Sequence, residues 1–125
     1  VLAATAMPFD LVASCYGAWT LDGGAPLSEP HPPLDDAEAI AGFGTELLGV
    51  VGENDHVVSQ DEWRRIRARL DDAGVAHEMV TYPGQPHGFL CPDRPQTYDA
   101  AATEDVWCRL RAVLDRPVIA AEEPV

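Results

Sequence analysis

Leu47-Leu48-Gly49-Val50-Val51, followed at once by Gly52-Glu53-Asn54-Asp55, is the most hydrophobic stretch of the sequence running into a polar turn. The run is apolar at odd and even positions alike, the pattern of a strand covered by helices on both faces. Downstream, Ser59 and Glu62 match a capping box, and Trp63, Ile66, Leu70 and Ala73 mark one face of a helix that Gly74 ends. His77 to Tyr82 alternates and holds β-branched and aromatic residues, which predicts another strand. Upstream, Leu11 to Tyr16 is a short apolar run closed by Gly17 and predicts a first strand.

Between the first two strands, Gly17 to Pro33 is too rich in Gly and Pro for a regular element, and a short helix is expected after Asp35 and Asp36, ended by Gly42 and Gly44. Pro83 to Pro95 is a second irregular segment. A last helix from about Tyr98 to Leu114 places Trp107, Leu110 and Leu114 together, and Pro117 stops it. Strands that alternate with helices pair in parallel through right-handed crossovers, with any site at the strands' C-terminal ends. The expectation is an α/β fold of three parallel strands with flanking helices. Asp55 and His87 both fall at such strand ends.

Composition narrows the function. The 125 residues are 46% hydrophobic, enough for one packed unit. A net charge of −13, from 21 acidic against 8 basic residues, would repel nucleic acid and anionic lipid. No apolar run approaches the roughly 18 residues of a membrane span, and the start lacks a signal peptide's basic region. All eight basic residues are Arg, which with abundant Ala, Gly, Pro and Val points to a GC-rich bacterial gene. Cys15, Cys91 and Cys108 form neither a disulfide framework nor a zinc spacing, which points to a reducing cytoplasm.

Three neighbouring features carry a resemblance: LLGVVGENDHVV at Leu47 to Val58, GVAHEMVTYPGQPHGF at Gly74 to Phe89, and the Ala-rich helix YDAAATEDVWCRLRAVL. With the upstream DLVASCYGAW they resemble the C-terminal half of the dienelactone hydrolase family of α/β-hydrolases, over about Phe9 to Leu114. The resemblance implies a partial α/β-hydrolase domain at residues 1–116 and a tail at 117–125. It also implies that Asp55 is the acid and His87 the general base of a catalytic triad acting on a small-molecule ester or lactone, with no cofactor and no metal. The chemistry suits these residue types. A His base keeps one ring nitrogen free for the nucleophile's proton, while a carboxylate on the other fixes the tautomer and stabilises the imidazolium.

The nucleophile is not expected within this chain. Ser14-Cys15-Tyr16-Gly17-Ala18 is similar to the family's nucleophile elbow, but an elbow opens a helix, and Cys15 is followed by Gly17, Gly23, Gly24 and Pro26. Cys15 is therefore expected on a strand with its thiol in the core. Cys91, Ser14 and Ser28 also lack an elbow's context. Val1 in place of Met, and Leu2 to Ala6 reading like a helix end, are expected of a chain that begins in mid-fold, with the Cys or Ser nucleophile upstream. In that case the first strand's free edge invites self-association. A different class of function is a truncated scaffold that serves as a binding or assembly module. His31 in the Pro-rich loop, His56 next to the Asp turn and His77 at the start of an exposed strand have no metal-ligand spacing, and only His56 is expected near the site. A flavodoxin-like domain would need a phosphate loop after the first strand, and GAWTLDGG is not one.

Overall fold

The computed structural model describes residues 1–22 and 30–117. The middle of the Gly17 to Pro33 loop and the tail after Pro117 lie outside the described residues. A 3₁₀ turn at Leu2–Thr5 leads to β1 (Leu11–Cys15), and a second at Pro33–Asp36 leads to α1 (Ala37–Gly42). Then come β2 (Glu46–Gly52), α2 (Gln60–Ala73), β3 (His77–Tyr82) and α3 (Ala100–Leu114). The strands form one open, parallel sheet in the order β1-β2-β3, as the alternation of elements predicts.

The central strand β2 is buried from Leu47 to Gly52 because both its faces are covered. Leu47 and Val51 face a core made with α1, α2, Ala4 and Leu34, where Ile40, Trp63, Ile66 and Leu70 are buried. Leu48 and Val50 face the other core, with Tyr82, Phe89 and Val106 of α3. The helix α2 begins where Ser59 accepts the Glu62 N–H (3.1 Å) and ends at Gly74, whose φ of +74° suits glycine. From α2, Arg69 donates to the carbonyls of Leu34 and Asp35 and to both carboxylate oxygens of Glu38, which holds α1 against it. On the opposite side, Tyr82 donates to Asp105 (2.7 Å), which also accepts from Arg109, and Arg109 reaches Glu78. Burial, then the Asp105 carboxylate, pushes the Tyr82 hydroxyl up to about 12, so it remains a donor.

Three expectations need correction. Cys15 is on a strand but exposed, because β1 is at the edge of the described sheet and ends at this residue. The inner face of α3 is Ala102, Thr103, Val106 and Leu110, whereas Trp107 (55% exposed) and Leu114 (64%) point away. Burial follows the stripe one position before Trp107, because Val106 meets Leu48, Val50 and Phe89. His77 is not an exposed strand start: its side chain is only 12% exposed, and its Nε2 pairs with Asp71 at 2.8 Å.

A methyl at Gly49 would stand 2.4 Å from Met79 Sδ and 2.9 Å from Trp63 Cη2. The close seating of α2 on the sheet thus depends on a missing side chain. Gly49→Ala is expected to lower unfolding free energy by about 1–3 kcal/mol, the usual cost of overpacking. Equilibrium denaturation of the two proteins would measure it, and equal midpoints would show that Met79 swings clear at no cost.

Candidate active site

The turn after β2 carries Asp55, and its side chain is fully buried. One carboxylate oxygen accepts the backbone N–H groups of Val57 (2.8 Å) and Val58 (2.9 Å). The other lies 2.8 Å from His87 Nδ1. A carboxylate only accepts, so Nδ1 is the donor, and in the neutral ring Nε2 keeps its lone pair. The structure therefore brings together the two residues singled out at successive strand ends.

His87 reaches this position by local means. Pro83 and Gly84 (φ +71°) form a turn in which the Gln85 N–H returns to the Tyr82 carbonyl (3.3 Å), as in a type II turn. Gly88 (φ +82°) then reverses the chain so that His87 and Phe89 diverge. Phe89 is completely buried between Tyr16 and Tyr82, with ring centroids 5.6 and 5.2 Å away. Its carbonyl accepts from Thr103 Oγ1 and the Asp99 N–H at the start of α3. The His87 side chain remains 26% exposed, in contrast to the fully buried Asp55.

Two rings flank the imidazole. His56 lies 5.8 Å away, in keeping with its expected place near the site, and Tyr16 lies 4.8 Å away. Tyr16 escaped sequence reasoning, although the aromatic-Gly pair that closes β1 was the available signal. His31 pairs with Asp36 on the surface, and that carboxylate raises its pKa. No group of three or more metal-ligating side chains occurs among the described residues.

Among the described residues the structure shows no nucleophile hydrogen-bonded to His87. No cysteine or serine among the described residues hydrogen-bonds its ring. Cys91 sits in the next turn, with its N–H on the Gly88 carbonyl (3.1 Å). Cys15 opens no helix, and although it is exposed, the atoms crowded behind its sulfur push the thiol up, away from thiolate. A 320 Å³ groove runs past Val1, Leu2, Ser14 and Trp19, and neither Asp55 nor His87 lines it.

Comparison with known proteins places these features in context. The model of the dienelactone hydrolase family matches residues 1–117. A predicted carboxymethylenebutenolidase of Escherichia coli K12 is 33% identical over 95 residues, which cover 74% of this chain and 34% of that protein. Its counterpart in Salmonella typhimurium is 32% identical over the same length. The chain thus spans about a third of the length of the curated relatives it matches. Among solved structures, a predicted dienelactone hydrolase from Klebsiella pneumoniae superposes with a TM-score of 0.72 at 28% identity, over 86% of this chain and 42% of that one. A dienelactone hydrolase-like promiscuous phosphotriesterase from metagenomic libraries shares the fold at 17% identity, with a TM-score of 0.69 over 91% of this chain and 45% of that one.

The separation of the two site residues depends on Gly52, where an added Cβ would stand 2.1 Å from the Gln85 carbonyl oxygen. Backbone cannot swing aside as a long side chain can. Gly52→Ala is expected to push the two turns apart, costing about 1–3 kcal/mol as overpacking and loosening the Asp55–His87 hydrogen bond. Denaturation together with the NMR signal of the His87 Nδ1 proton would report both effects, and an unchanged Nδ1 signal would show that the turns are spaced by something else.

Proposed function

Because the chain belongs to the dienelactone hydrolase family, we propose that Asp55 and His87 are the acid and base of a hydrolytic triad that cleaves a carboxylic ester or lactone. The observation that carries this reading is the 2.8 Å contact between a buried, amide-anchored carboxylate and Nδ1 of an imidazole whose side chain is still partly exposed. The nucleophile is a Cys or Ser supplied from upstream of this chain. His87 Nε2 takes its proton as sulfur or oxygen bonds to the substrate carbonyl carbon, and Asp55 stabilises the imidazolium. Collapse of the tetrahedral intermediate breaks the bond to the leaving oxygen, which receives that proton from His87. Water then adds to the acyl group with its proton passing to Nε2, and the acid leaves as the nucleophile is reprotonated.

A second reading has its own observation. Among the described residues β1 pairs only with β2, so its other edge presents unpaired backbone groups that can template another strand. The 125-residue chain would then be an assembly module whose partner is a second copy through β1. None of its described helices is long and apolar enough to cross a membrane, and its three free cysteines support a cytoplasmic setting.

Two measurements separate the readings. The chain by itself is expected to hydrolyse activated esters and enol lactones no faster than buffer, while a longer protein that includes the nucleophile loses about 10⁴-fold or more of its kcat with His87→Ala. Turnover by the short chain that disappears in His87→Ala would place the nucleophile within it. Sedimentation at tens of micromolar is expected to show association or loose folding of the short chain, whereas a monomer with one sharp, high-temperature transition would count against the open edge as a docking strand.

A further inference from the structure

We propose that Tyr16 is a positioning residue for His87, clamping the imidazole from the end of β1. This rests on the assignment of Asp55 and His87 as the proton-transfer pair. Tyr16 follows β1 directly and has a φ of +50°, a left-handed conformation that is uncommon for a bulky aromatic residue and is maintained only where surrounding contacts determine it. Those contacts are identifiable. Its N–H continues the ladder onto the Val50 carbonyl (2.8 Å), so its backbone is fixed to the strand that leads into Asp55. Gly17 lets the chain turn back here, since a Cβ at that position would meet Ser14 Oγ at 2.4 Å.

The left-handed turn sends the side chain toward the loop after β3. The ring lies 4.8 Å from the His87 ring at 49° and packs edge-on against Phe89 at 76°. Its hydroxyl oxygen accepts the Leu90 N–H at 3.0 Å. One side chain thus touches three of four consecutive residues in the loop that presents the base. Asp55 fixes the imidazole by a single hydrogen bond, which leaves the ring free to tilt about that bond. Tyr16 limits the tilt, so Nε2 faces one direction. Burial raises the phenol's pKa, which keeps the hydroxyl neutral while it accepts from Leu90.

The test uses the longer protein that includes the nucleophile and two variants of it, Tyr16→Phe, which keeps the ring, and Tyr16→Ala, which removes it. NMR reads the exchange of the Leu90 amide, the exchange of the His87 Nδ1 proton and the ¹⁵N shifts of the His87 ring. In Tyr16→Phe the Leu90 amide is expected to exchange about tenfold faster, as for loss of one hydrogen bond, with the His87 tautomer retained. In Tyr16→Ala the Nδ1 proton is expected to broaden away and the ring shifts to move toward a mixture of tautomers. A Tyr16→Ala protein that stays folded with unchanged His87 signals overturns the proposal. If that variant unfolds, Tyr16→Leu, which fills the space without a planar ring, takes its place, and unchanged His87 Nδ1 exchange there overturns the proposal. A wild-type chain without a protected Nδ1 proton overturns both this proposal and the pair on which it rests; an intact pair indifferent to Tyr16 overturns this one alone.

Discussion

The backbone contact between Gly52 and Gln85 sets the geometry of everything at the top of the sheet. Parallel strands end side by side, but the turns that follow them are free to splay unless something binds them. Here the end of β2 lies directly against the turn after β3, where a single methyl would not fit. The Glu53 N–H donates to the Tyr82 carbonyl (2.9 Å) and the Asn54 N–H to the Gln85 carbonyl (3.0 Å), while Glu53 accepts the Gly84 N–H (2.7 Å). These are short, mostly backbone bonds with little rotamer freedom to lose, so they fix the two turns as one piece. Asp55 lies one residue and His87 two residues beyond that lacing, which is why they meet across 32 positions of sequence.

The lacing would be insufficient if the His87 loop could lift from its far side. Phe89 prevents this by filling the core under α3, where its carbonyl receives two donors from the helix start. The helix is itself attached to β3 through Tyr82, Asp105 and Arg109. Arg109, beside Tyr82, also holds the Asp105 carboxyl below its ordinary range. The surface part of this network is worth little by itself, since exposed ion pairs are screened. Its effect is to orient α3 so that the buried contact between Val106 and Phe89 is made.

The legible parts of the sequence were those in which one local rule dominates. The uniform apolarity of Leu47 to Val51 announced a doubly covered strand, Ser59 and Gly74 marked the ends of α2, and Pro83-Gly84 marked the turn before His87. Each signal depends on neighbours a few residues away. Side-chain orientation at the periphery did not read, because it depends on what lies alongside. Cys15 looked like a core residue, yet it ends an edge strand. Trp107 looked like an anchor because it is large, yet the helix phase is set by Val106 and Thr103 against Phe89. Tyr16 carried no warning of its left-handed φ beyond the glycine that follows it.

The differing tolerances of the two site residues follow from the same geometry. Asp55 belongs to its own turn: both amides that hold its first oxygen come from Val57 and Val58, within the segment that leads into α2. Its first oxygen is therefore held by contacts within the connection between β2 and α2 alone. The turn around His87 places its backbone, but the hydrogen bond to its ring comes from Asp55, across the sheet. The ring's orientation depends on Asp55, on Phe89 in the core beneath α3 and on the Tyr16 ring from β1, so every strand and the last helix must be in place first. His87 is thus the part of this candidate site that registers whether the whole sheet is assembled, and a loosened edge at β1 would disturb it while Asp55 remained seated.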